Sequence, residues 1–126
     1  MGKAVVSVQN PIRLGDLSEP EPDVALLRPR DDFYASGHPT AEDVLLLIEV
    51  AESSLSFDRG TKLGLYARHG VRETWIVDLS GEAVHVHRNP HGDAYDMQLT
   101  IRRGDTVSPD GLPSVGLAVD QVLGPG

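Results

Sequence analysis

Residues 44–51 read Val-Leu-Leu-Leu-Ile-Glu-Val-Ala, a nearly unbroken apolar run with one carboxylate set into it. A run this short, apolar at both alternating sets of positions, predicts a central β-strand covered on both faces; a buried helix calls for more residues. Glu49 makes the run more than a core strand. Burying an ionised carboxylate without a partner costs several kcal/mol even after the surroundings relax. Unless Glu49 ends in solvent, the fold must bring a basic side chain, a hydrogen-bond network or a metal ion to it.

The segments around this strand predict a mixed sheet with a helix against it, an α/β (α+β) arrangement. Val5, Val6 and Val8 suggest a first strand, broken at Asn10-Pro11. Ser18-Glu19-Pro20-Glu21-Pro22 is a stiff extended approach without helix potential, and Asp23-Val24-Ala25-Leu26-Leu27 is a short strand after it. Pro29 to Thr40 reads as a loop or a hairpin connection. A helix is predicted from about Asp58 to His69, capped by Ser56 or Asp58 and stopped by Gly70. Thr74 to Asp78 is the next strand. Ala83 to Arg88 and Tyr95 to Ile101 pair across a turn at Asn89-Pro90-His91-Gly92. In the tail, the apolar stretch from Val115 to Leu123 is expected to pack back as a short helix.

The chain has 126 residues, which suits one domain spanning 1–126. No apolar run approaches the roughly 18 residues of a membrane span. There is no signal-peptide pattern and no cysteine, which rules out disulfides and thiolate-held zinc and suits a cytoplasmic setting. The net charge of −8 argues against broad nonspecific attraction to nucleic acid. It leaves room for a local site in which a cation offsets clustered carboxylates.

Two residues are candidates to join Glu49. Asp23 opens an apolar strand and converges with Glu49 if the two strands are neighbours. Carboxylates that close repel unless a cation lies between them, and Mg²⁺ suits a site of one or two carboxylates, water and a substrate phosphate. Lys62 sits in the following helix, where 3.6-residue periodicity lines up Asp58, Lys62, Tyr66 and His69 along one side. A lysine beside a metal-bound water can orient it or offset charge on a phosphate. His85, His87 and His91 cluster near one hairpin but read as a solvated strand, Trp75 and Tyr66 as core, and Arg102-Arg103 as a solvated turn. No Ser-His-Asp arrangement, phosphate-cradling glycine loop or dinucleotide fingerprint is visible.

Together, Pro22-Asp23 and Glu49-Val50-Ala51 resemble the core of the PD-(D/E)XK nuclease superfamily. That core usually places its lysine two residues after the second acid, where this chain has Ala51. One branch moves the lysine into the next helix, and Lys62 fits that position. The branch is the Uma family of restriction-endonuclease-like proteins. Leu47-Ile48-Glu49-Val50-Ala51, Asp58-Arg59-Gly60-Thr61-Lys62-Leu63, Leu65-Tyr66-Ala67-Arg68-His69-Gly70-Val71 and Trp75-Ile76-Val77-Asp78 carry the likeness, which runs from about Val5 to Leu123. It implies a restriction-endonuclease-like fold in which Asp23 and Glu49 bind Mg²⁺ (or Mn²⁺) and Lys62 assists a water that hydrolyses DNA phosphodiesters. Family members usually begin with a further helical region carrying another acidic site residue. This chain starts near the end of that region, so the resemblance also implies an N-terminally shortened domain with exposed apolar surface, suited to a homodimer. Two alternatives stand beside the endonuclease: a catalytically impaired binding or assembly module, and a metal-dependent phosphoesterase acting on another substrate.

Overall fold

A computed structural model describes residues 5–8, 12–14, 22–29, 37–52, 62–111 and 116–124. Among these residues the centre is a mixed six-stranded sheet ordered β1-β2-β3-β4-β5-β6: Val5–Val8, Val24–Leu27, Val44–Ala51, Glu73–Asp78, Ala83–His91 and Ala94–Arg102. Neighbours are antiparallel except β3 and β4, the one parallel pair. A parallel pair needs a crossover, and helix α1 (Gly64–Arg68) lies in it. A small ribbon of β7 (Thr106–Val107) and β8 (Leu117–Ala118) leads into α2 (Val119–Leu123).

The expected apolar strand is thus the third of six. The alternation of its side chains divides the core in two. On one face Leu47 packs with Tyr66 of α1, Val71, Ala25, Leu27, Ile12 and Leu14. On the other, Leu46 joins Trp75, Val77, Val84 and Val86 beneath Val107 and Val119. The C-terminal stretch does return to the core, as β8 followed by α2 rather than as one helix from Val115. Both faces of the sheet therefore carry cover.

The 3₁₀ turn Ala41–Asp43 fixes where β3 starts. Asp43 accepts hydrogen bonds from Thr40 N (2.9 Å) and Arg28 Nη2 (3.1 Å), tying the end of β2 to the start of β3. Burial works against the Asp43 carboxylate, but the Thr40 and Arg28 donors outweigh it and hold its pKa below the usual value.

Two boundaries differ from the sequence reading. Asp23 lies in the bend before β2 rather than in the strand. The β5–β6 hairpin turns at Gly92-Asp93, not at Asn89–Gly92, because β5 continues through Pro90 to His91. Pro90 is tolerated there because β4 pairs with β5 only as far as Arg88, so the missing N–H takes nothing from that ladder. Asn89 and Gly92 supply the left-handed φ values of 59° and 62° that the end of the hairpin requires. The first turn of the predicted helix, with its caps at Ser56 and Asp58, lies outside the described residues.

Candidate active site

Glu49 follows Leu45 and Leu47 on the α1 face of β3 and is buried at 3% exposure. Two side chains from the next element reach it. Lys62 Nζ lies 3.3 Å from Oε2, and the Tyr66 hydroxyl donates to the same oxygen at 2.5 Å. The two donors are four residues apart, Lys62 in the helical turn just before α1 and Tyr66 within α1, and so present themselves on one side of that helical segment. They differ in burial. Tyr66 is fully enclosed, whereas the Lys62 side chain is 42% exposed and reaches Glu49 from the solvent. Burial first, and then the adjacent Glu49 carboxylate, hold the Tyr66 phenol far above its usual pKa, so it remains a proton donor to Glu49.

Asp23 meets Glu49 through the sheet register. Val24 pairs with Ile48 in the antiparallel β2–β3 ladder, so the preceding residue, Asp23, falls beside Glu49. Asp23 Oδ2 accepts the Val50 N–H at 2.7 Å, which fixes the carboxylate against the strand end. Its charge is near enough to Tyr66 to add to the rise in the phenol's pKa. The three residues singled out in the sequence thus lie together at one end of β3, and Tyr66 is a fourth member that was read only as core. The signal was available in the Lys62–Tyr66 spacing combined with the need of Glu49 for donors.

The donor set suits a hard divalent cation. Among the described residues, Asp23 Oδ1 and Glu49 Oε1 take no hydrogen bond, leaving one oxygen on each carboxylate. Mg²⁺ commonly uses one or two carboxylates and completes its shell with water and substrate phosphate. No group of three or more acidic, histidine or cysteine side chains suited to a metal occurs among the described residues.

The hairpin histidines are each engaged separately. His85 Nε2 meets Asp78 Oδ2 and its Nδ1 meets Thr100 Oγ1, both at 3.1 Å, forming a ladder across β4, β5 and β6. This Asp-His-Thr chain was not visible in the sequence because its members come from three strands. His87 is buried with its ring 6.0 Å from that of Tyr95, and His91 pairs with Asp96 on the surface. Arg103 is held by Glu82 and Asp120. On the opposite sheet face, buried Glu73 accepts from Trp75 Nε1 (2.6 Å), Arg88 Nε (3.0 Å) and Asp110 N (2.6 Å), which anchors the 108–111 turn.

Comparison with known proteins settles the relationship. The family described as "Uma2: Putative restriction endonuclease" matches residues 1–120. The chain belongs to the Uma2 family. No curated protein matches it in sequence. Among solved structures it is similar to the crystal structure of a "putative nuclease belonging to DUF820 from Anabaena variabilis ATCC 29413". The TM-score is 0.67 at 16% identity, over 95% of this chain and 68% of that one. At that identity the likeness speaks for the fold, which is the restriction-endonuclease-like α+β fold of this Uma2 chain.

Proposed function

We propose that this Uma2 chain is a Mg²⁺-dependent endonuclease that hydrolyses phosphodiester bonds in DNA. One observation carries the reading: a glutamate buried in a central strand, with a second carboxylate beside it and a solvent-reaching ammonium on the same oxygen. Lys62 and Tyr66 alone would serve a structural glutamate; the adjacent aspartate, which repels it unless a cation lies between them, is what favours an ion site. In this reading Asp23 and Glu49 hold the ion, for which Mn²⁺ can substitute. An ion held there would polarise the phosphate and lower the pKa of its water. Tyr66 keeps Glu49 in one orientation by its hydrogen bond. Lys62 offers an N–H to the attacking water or to a nonbridging phosphate oxygen, offsetting negative charge as the phosphorus gains its fifth oxygen. The same reading makes the protein cytoplasmic and homodimeric. No described helix is long and apolar enough to cross a membrane.

The net charge of −8 favours a second reading, in which the same site hydrolyses a small phosphoester or only binds. Calorimetric titration with Mn²⁺ tests the site first. Wild type is expected to bind, and Glu49→Ala to lose most of that binding; equal binding by both overturns the assignment. Nicking of supercoiled plasmid then separates the substrates. Lys62→Ala should keep metal affinity and lose nicking, whereas metal binding by wild type without any nicking favours the second reading.

A further inference from the structure

Arg28, Arg68, Arg72, Arg88 and Arg103 each pair with a carboxylate. Arg102 pairs with none among the described residues. It is exposed, and its guanidinium makes a long hydrogen bond, from Nη1 to Gly81 O at 3.5 Å. Its place in the sheet brings it to the candidate site. Glu49, Ile76, His85 and Thr100 form one row across β3, β4, β5 and β6. Asp78, two residues beyond Ile76, is hydrogen-bonded through His85 to Thr100, so these side chains share one face. Val77, Val84 and Ile101 pack into the core on the other face, so by alternation Thr100 and Arg102 lie on the α1 face with Glu49. Thr100 is exposed, three strand spacings from Glu49, about 14 Å before twist. Arg102 is one side-chain step further along β6.

We infer that Thr100 and Arg102 form a subsite for a DNA phosphate a few nucleotides from the one cleaved at Glu49, with Asp78 and His85 setting the direction of the Thr100 hydroxyl. The inference rests on the nuclease reading above. A guanidinium without a carboxylate partner offers paired N–H donors to the nonbridging oxygens of a phosphate. The hydroxyl beside it helps only if its proton points outward, and His85 decides that. Asp78 Oδ2 is an acceptor, so the Nε2 facing it at 3.1 Å carries a proton. In the neutral ring Nδ1 is then bare and takes the Thr100 O–H, which turns lone pairs toward an arriving phosphate. In the charged ring Nδ1–H donates to Oγ1, and the Thr100 O–H is released to donate to the phosphate. Phosphate binding and protonation of His85 therefore favour one another.

The β4–β5 turn holds both halves of the arrangement. Gly81 donates its N–H to Asp78 Oδ1 at 2.9 Å, and its carbonyl accepts from Arg102. The His85 and Asp78 side chains are only 13% and 8% exposed, so the phosphate meets them through Thr100. Among the described residues, the other titratable groups nearest His85 in the register of this face are His87 and Arg102. Glu49, beneath Lys62 and Tyr66, is two strands away across Ile76.

Fluorescence anisotropy of a short labelled duplex, with Ca²⁺ in place of Mg²⁺, tests the subsite. Wild type should bind more tightly at about pH 6 than at about pH 8, the range in which histidine ordinarily changes charge. Thr100→Val should weaken binding by about tenfold at the lower pH and leave it nearly unchanged at the higher. Thr100→Ser, which keeps the hydroxyl, should behave as wild type at both. Arg102→Gln should weaken binding at both and make the salt dependence less steep by about 0.9, one phosphate contact. Arg72→Gln removes the same charge beside the opposite end of β4 and should leave that slope unchanged. Every variant should keep wild-type Mn²⁺ affinity in calorimetry. A Thr100→Val effect that is absent, or equal at the two pH values, overturns the subsite. So does an Arg102→Gln slope as steep as wild type, an Arg72→Gln loss equal to it, or a parallel fall in Mn²⁺ affinity. Any of these beside a wild type that nicks plasmid leaves the nuclease reading standing. A wild type that neither binds nor nicks DNA removes that reading and the subsite with it.

Discussion

Replacing Tyr66 with Phe isolates the hydrogen bond on which the orientation of Glu49 depends. The ring stays in the core with Leu47 and Val71, so no appreciable cavity opens and the change is the loss of one donor to a carboxylate that is 3% exposed. A hydrogen bond to a charged group contributes about 1.5–3 kcal/mol, and Lys62 remains to offset part of the loss. For a domain of this size about 3–5 °C accompanies each kcal/mol, so the melting temperature should fall by about 5–12 °C in metal-free buffer. Lys62→Met is the internal comparison. Its ammonium is 42% exposed and screened by water, and its removal should change stability by less than about 1 kcal/mol. Scanning calorimetry reads both. The second readout is Mn²⁺ affinity: loss of a group that orients a ligating carboxylate typically weakens metal binding by about 10–100-fold. A Tyr66→Phe protein that melts within about 2 °C of wild type, against the several degrees implied by a charged acceptor, would refute the reasoning.

Three other perturbations follow from the described geometry. Arg88→Met removes the cation from Glu73, a fully buried carboxylate, and should cost about 3–5 kcal/mol in urea unfolding followed by Trp75 fluorescence; a cost under about 1 kcal/mol contradicts the role of that pair. Burial raises the pKa of both Tyr66 and Tyr95, so above about pH 10 the unfolded state gives up protons that the folded state keeps. Unfolding free energy should therefore be fully held below pH 10 and decline above it, with a shallower slope in Tyr95→Phe. Asp43 has the opposite sign: its lowered pKa gives stability that is present above about pH 4 and lost as the carboxylate protonates below it. Asp43→Asn should be less stable at neutral pH, with a flatter acid limb in the same denaturation assay.

Different parts of this protein were legible in its sequence to different degrees, and for physical reasons. The run from Val44 to Ala51 announced a central strand because both alternating sets of positions are apolar, and only an inner strand covered on two faces satisfies that. The convergence of Asp23 with Glu49 followed once β2 and β3 were taken as neighbours, as they are in the sheet, whereas Lys62 reaches Glu49 from the helical segment after β3. The hairpin turn was misplaced because Asn-Pro and His-Gly both signal turns, and only the early end of the β4–β5 pairing makes Pro90 admissible within a strand. The role of Tyr66 was hidden because a buried aromatic ring reads as core whatever its hydroxyl does. The Asp78–His85–Thr100 ladder and the Glu73 hub combine residues from separate elements, so no local spacing reports them.

The charge balance leads to a last prediction. Acidic residues outnumber Lys and Arg by 19 to 11. Arg28, Arg68, Arg72, Arg88 and Arg103 are each engaged by a carboxylate. Among the described residues few cations are therefore left to hold DNA by its phosphates, and in the proposed mechanism the bound ion and Lys62 supply most of the positive charge at the scissile group. Each phosphate neutralised by the protein contributes about −0.9 to the slope of log affinity against log salt. A nuclease of this kind should show a slope of only about −1 to −3 in DNA binding measured by fluorescence anisotropy with Ca²⁺ in place of Mg²⁺. Its activity should depend far more on divalent ion concentration than on monovalent salt. A slope of about −6 or steeper would mean that the chain tracks the backbone through a basic surface. Contact with DNA would then be spread over a wide face, and the site at Glu49 would not be what brings substrate and protein together.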